Sequence, residues 1–142
     1  IFISDSDDNV IDSNTINSNT IDGIRFFSTS KKNLVKGNTL NSNGGGIRFS
    51  GSTTSDNFIY LNNFNASNGF LAKDFGTNTW YLARNMSYEY NGKTYSSFRG
   101  NYWGGQTFAD ADGNGIGDTS YKFGSLEDKY PLMTKYLKFI VK

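Results

Sequence analysis

The chain has 142 residues, enough for one domain, with 14 basic and 13 acidic side chains and a net charge of +1. That balance leaves no basic stripe for a nucleic acid, and no apolar run is long enough to span a membrane. One Pro, 16 Gly and 18 Asn leave little room for long helices, and the absence of Cys leaves rigidity to non-covalent devices.

The opening "IFIS" repeats a phrase found later, with Ile1, Phe2 and Ile3 aligned on Ile24, Arg25 and Phe26. The chain is therefore expected to start inside a repeat, with unpaired N–H and C=O groups over an open apolar core. No signal peptide is evident, so a mature or excised chain is expected. The open end implies either a piece of a longer protein or an end covered by another molecule.

From Asn9 the sequence says one thing three times: "NVIDSNTINSNTIDGIRF", "NLVKGNTLNSNGGGIRF" and "NFIYLNNFNASNGFLAK". Asn9, Asn33 and Asn57 are 24 residues apart, as are Asn14, Asn38 and Asn62. Short apolar alternations broken by Asn, Ser and Gly have strand periodicity. A unit of this length cannot bury its own apolar face, but stacked copies can. Each repeat is thus read as one rung of a parallel β-helix, with rungs roughly 4.8 Å apart.

The rung model explains the asparagines. Equivalent side-chain amides, each both donor and acceptor, form ladders through Asn9, Asn33, Asn57 and through Asn14, Asn38, Asn62. Asn also tolerates the left-handed backbone of a sharp corner, and Gly23, Gly46 and Gly69 are expected to mark another corner with positive φ. The interior should hold three stacks: Ile11, Val35, Ile59; Ile16, Leu40, Phe64; and Ile24, Ile47, Phe70. Outside, Arg25 and Arg48 share a column flanked by Phe2 and Leu71. Two like charges on adjacent rungs need a partner or an anion, and Asp22 is the nearby candidate. Asp12, Asp22, Asp56 and Asp74 fall in different columns, so no catalytic carboxylate pair stands out.

After Asp74 the repeat dissolves. Asn78 and Trp80 fit the positions of Asn57 and Ile59 as a partial fourth rung. Tyr88 and Tyr90 alternate into an Asn91-Gly92 hairpin turn, with a return strand from Thr94. Trp103 and its aromatic neighbours can close the lower end of the core. In "DADGNGIGD", Asp110, Asp112, Asn114, the Ile116 carbonyl and Asp118 match the first nine positions of a calcium loop. Tyr121 replaces the bidentate Glu, leaving Glu127 or Asp128 to complete a structural Ca2+ site. The last run, "YLKFIVK", reads as an extended strand. The division expected is residues 1–84 as rungs and 85–142 as a cap on the same domain. Asn65 and Asn85 begin glycosylation sequons.

The repeat, followed by "YNGKTY…GNYWGG…DADGNGIGDTSY…YPLM", resembles the C-terminal part of NosD-type, or carbohydrate-binding and sugar-hydrolysis, β-helix proteins. It is most similar to the cell-surface versions of methanogenic archaea. The resemblance implies a secreted, right-handed parallel β-helix, whose relatives include surface-layer components, carbohydrate-processing proteins and copper-delivery factors. With no His, no Cys and only Met86 and Met133, copper delivery fits these residues poorly.

The function expected is therefore a non-catalytic extracellular structural subunit of a cell surface or filament. Self-association would run through rung stacking at Ile1, Phe2 and Ile3, or through strand donation by Tyr136, Leu137, Phe139, Ile140 and Val141. The alternative is a carbohydrate-binding or carbohydrate-processing module, with polysaccharide as partner. Tyr88, Tyr90, Tyr95, Tyr102, Trp103 and Tyr121 would then offer aromatic faces, although packing the end of the core explains them as well.

Overall fold

The structure is a computed structural model, and it describes residues 1–141. Its strands wind as a solenoid of about three turns. A half-rung, β1 (Phe2–Ser4), leads into the first full rung of β2 (Val10–Asp12), β3 (Thr15–Asn17) and β4 (Asp22–Phe27). The second rung is β5 (Leu34–Lys36) and β6 (Thr39–Phe49); the third is β7 (Ser55–Tyr60) and β8 (Asn63–Asp74). A fourth begins with β9 (Thr77–Thr79). The chain then leaves the solenoid for the hairpin β10 (Leu82–Tyr90) and β11 (Lys93–Arg99), and returns as β12 (Tyr102–Trp103). The cap follows with β13 (Tyr121–Phe123), β14 (Leu126–Asp128), a 3-10 turn at Tyr136–Lys138 and β15 (Ile140–Val141).

Two parallel sheets line the solenoid, one ordered β1-β4-β6-β8-β12 with β3 also on β6, the other β2-β5-β7-β9. Pairing Thr15–Asn17 with Thr39–Asn41 and Val10–Asp12 with Leu34–Lys36 realises the 24-residue period residue by residue. The start behaves as expected, with Phe2 beside Arg25 and Ile3 beside Phe26.

Inside, Ile11, Val35 and Ile59 stack, as do Ile16, Leu40 and Phe64, and every one of them is buried. The third column differs from expectation. Ile47 sits on Ala72, and Phe70 sits two residues earlier beside Gly45. Register shifts between Leu40 and Gly45 insert extra residues into β8, and a slip of this kind moves side chains to other positions. Phe70 is thereby turned out of the core. A fourth column, Ile3, Phe26 and Phe49, takes up the volume, with Phe26 and Phe49 stacked at 4.6 Å.

The corners also differ from expectation. Positive φ falls not on the ladder asparagines but on the residue before each: Asp8, Ser13, Ser18, Lys32, Gly37, Ser42, Asp56 and Leu61. Gly23, Gly46 and Gly69 are not in the left-handed region. Gly46 is needed for a close approach instead, since a Cβ there would collide with the Leu71 carbonyl oxygen.

The lower end is closed by aromatics. Trp103 continues the stack of Ile16, Leu40 and Phe64, 4.4 Å from and nearly parallel to Phe64, while Trp80 meets Phe49 and Phe123 edge-on. The hairpin turns at Asn91-Gly92 with φ of 50° and 77°, the two left-handed residues that match strand twist. The chain leaves the solenoid at β10, and Asn101–Trp103 belong to the fourth rung, so the hairpin is an insertion within it.

Candidate functional site

The asparagine ladders are the most developed polar feature. At each step the backbone N and Nδ2 of one Asn both donate to Oδ1 of the Asn below. Asn38 bonds Asn62 in this way at 3.0 Å for both donors. Nδ2 also reaches up to a carbonyl, as Asn38 does to Ile11 and Asn62 to Val35. One ladder runs Asn9, Asn33, Asn57, Asn78, and another runs Asn14, Asn38, Asn62, Asn101. A third, Asn19 on Asn43, was not anticipated. Its spacing is also 24, but the third copy places Ser67 below Asn43, so only two members exist to be read.

Each long ladder ends on a carboxylate that also takes an indole N–H. Asn78 Nδ2 and Trp80 Nε1 donate to Asp74. Asn101 N, Asn101 Nδ2 and Trp103 Nε1 converge on Asp128 Oδ2, while Tyr130 N donates to Oδ1. Asp128 is fully buried, and burial pushes its carboxyl up to about 7 while these donors pull the other way. It therefore does not join the Asp/Gly loop as the sequence suggested, because its oxygens are committed to the foot of the ladder.

The loop itself is self-bonded. Asp110 accepts from the amides of Asn114 and Gly115 at 3.0 and 2.9 Å. Asp112 accepts from Asn114 N and Nδ2, Asn114 Oδ1 from Ile116 N, and Asp118 from Ala111 N. Tyr88 Oη anchors the loop by donating to the Asn114 carbonyl. Among the described residues no three acidic, His or Cys side chains are disposed to hold a metal ion. Glu127, the other candidate, accepts from Ser120 Oγ.

The outer face of the long sheet carries a column of Phe2, Arg25, Arg48 and Lys73; the shift in β8 puts Lys73, not Leu71, below Arg48. Arg48 grips Asp22 with Nε on Oδ2 at 2.9 Å and Nη2 on Oδ1 at 3.2 Å. Its guanidinium and the Lys73 ammonium also lie over the Phe70 ring, at 4.7 and 4.6 Å. Arg25 lies over Phe27 and donates to Ser50. Phe2, Phe27 and Phe75 are exposed beside this column. On the other sheet, Asp12 and Lys36 pair at 3.0 Å. The Ser13 hydroxyl, and then Lys36, hold the Asp12 carboxyl below its usual value.

The expected assembly segment is attached to its own chain. Tyr136 donates from N to Asn63 Oδ1 and from Oη to the Gly37 carbonyl. Phe139 is buried on Tyr90 and Tyr88, and β15 pairs antiparallel with β10 through Tyr88 and Glu89. Leu137 and Ile140 are exposed. The run is thus a 3-10 turn followed by a short strand. Tyr88, Tyr90 and Trp103 are buried cap residues, with no free ring faces for a ligand. Asn85 is exposed, whereas Asn65 of β8 donates its Nδ2 to Asn41 of β6.

A cleft of about 530 Å³ lies between β9 and the β13–β14 hairpin, bordered by Trp80, Tyr81, Lys122, Glu127 and Lys129. Glu127 is the one acid among its lining residues, whereas glycoside hydrolysis requires two.

Stacked parallel rungs with internal asparagine ladders define a β-helical solenoid protein. A family model described as "Periplasmic copper-binding protein (NosD)" matches residues 1–107, and the chain belongs to this NosD family. The match ends just beyond β12, the last strand of the solenoid. No curated protein and no solved structure matches the chain. No helix among the described residues is long and apolar enough to cross a membrane.

Proposed function

We propose that the chain is a non-catalytic β-helical module of an extracytoplasmic surface, built to receive another rung on its upper end. One observation carries this reading. Within the long ladders Oδ1 of each lower Asn is filled from above, but Oδ1 of Asn9, Asn14 and Asn19 receives no hydrogen bond from the described residues. The same end presents the free edges of β1 and β2 and exposed Ile1, Phe2 and Val10. The rung that fits presents N–H groups downward, so it stacks in the same direction.

Rung stacking is favoured over strand donation because residues 136–141 are engaged within their own cap. The aromatic cap covers the lower end, so in the proposed stack the added rung lies on the upper end of this chain. The test is sedimentation of the chain with and without a solenoid fragment ending in an exposed NosD-type rung. Binding that is lost in Phe2→Lys/Val10→Lys supports the reading; no association at high concentration overturns it.

We further propose that Asp110, Asp112, Asn114, the Ile116 carbonyl and Asp118 hold a structural Ca2+ in the cap, an all-oxygen set suited to a hard cation. Asn85 is the sequon open to glycosylation. The family's description names copper, but this chain offers no imidazole or thiolate, and we assign it the scaffold role. A second reading, polysaccharide binding, is favoured by the outer face, where exposed Phe2, Phe27 and Phe75 flank Arg25, Arg48 and Lys73. Retention on an acidic polysaccharide, abolished in Arg25→Ala/Lys73→Ala, would establish it.

A further inference from the structure

Arg99 ends β11 opposite Leu82, and none of its surface reaches solvent. Its Nε, Nη1 and Nη2 are buried without a hydrogen-bond partner among the described residues. The ion pairs in those residues, Lys36–Asp12 and Arg48–Asp22, do not include it. The face of the Tyr88 ring, 5.1 Å away, takes up part of the charge but does not satisfy five N–H donors. A guanidinium does not readily shed its proton as a buried lysine does.

Acids around the Tyr88–Arg99 pair are committed elsewhere among the described residues. Asp110 and Asp112 are engaged by loop amides, Asp128 by the ladder, and Tyr88 Oη by the Asn114 carbonyl. Tyr60 is the other ring that interacts electrostatically with Arg99. Tyr60 and Leu82 also line a recess of about 290 Å³, with Leu34, Phe58, Ala83 and Arg84. Arg84 adds a second positive charge there. Mostly apolar walls disfavour a strongly hydrated multivalent ion, and suit a large, weakly hydrated one.

We propose that the joint between the β10–β11 hairpin and the third rung is a binding site for a halide-type monovalent anion, with the Arg99 guanidinium as its buried counter-charge and the Tyr60 recess as its entry. The anion would lock the hairpin onto the solenoid.

Sodium bromide titrated into the protein in sodium gluconate at constant ionic strength tests this. The Tm of the wild type is expected to climb with the logarithm of bromide concentration, and Arg99→Met to abolish the dependence. Crystals soaked in bromide should show an anomalous peak at the Arg99 guanidinium. A wild-type Tm indifferent to bromide overturns the proposal, as does water or a protein carbonyl at Arg99 with bromide only at surface lysines. Should Arg99→Met not fold, the wild-type titration and the anomalous map decide without it.

Discussion

A single ladder asparagine serves four partners, and its worth depends on its position in the stack. Asn38, itself fully buried, donates to Asn62, Ile11 and Lys36 and accepts twice from Asn14. Asn38→Ala strands buried groups on both sides and is expected to cost about 2–3 kcal/mol in urea unfolding. Asn14, exposed and with its own Oδ1 unused, should cost less than about 1 kcal/mol on the same change. Asp128 gives a pH signature. Its folded pKa of about 7 lies above the ordinary 3.8, so between these values the native state binds the extra proton. Stability is then expected to fall as pH rises from about 4 to about 7, and to level off above. Asp128→Asn should remove that slope from a series of thermal melts. The two ladders at constant spacing were legible because three copies repeat the same residue. Asp128 was not, since 39 residues containing an inserted hairpin separate Asn62 from Asn101, which it caps.

At the scale of elements, the cap depends on a few buried rings. Phe139 is 6 % exposed and stacked on Tyr90, so Phe139→Ala should cost about 3–5 kcal/mol and release β15 from β10. Loss of slow amide exchange at Tyr88 and Glu89 would report that release. If the Asp/Gly loop binds Ca2+, adding calcium should raise Tm by several degrees, roughly what one to two kcal/mol gives in a domain this size. Asp112→Ala should erase the rise, and an unchanged wild-type melt with and without chelator counts against the site. The hairpin was readable from Asn91-Gly92, because few sequences other than that pair suit two successive left-handed residues. The β8 register was not. Nothing in "NASNGF" says which residues bulge, and Phe70 looked like core until the extra residues turned it onto Arg48 and Lys73.

Across the whole molecule, order should grade from the centre outward. Rungs two and three are paired on both sides, β1 and β2 on one. Hydrogen exchange is expected to be slowest at Val35, Leu40 and Ile59 and fastest at Phe2–Ser4. A flat profile would mean that the solenoid opens as one unit. The solenoid was legible because stacking forces one period on every column. Its closure was not, because the cap is built once and repeats nothing.

The ladders have a further consequence. Their amides all point the same way, so their small dipoles add along the stack as peptide dipoles do along a helix. The lower pole is positive and meets the carboxyl oxygens of Asp74 and Asp128. The upper pole, at Asn9, Asn14 and Asn19, is negative, its Oδ1 atoms receiving no hydrogen bond from the described residues. Whatever settles there is drawn in by its positive side, and the molecule is electrically polar along its axis even though its net charge is close to zero.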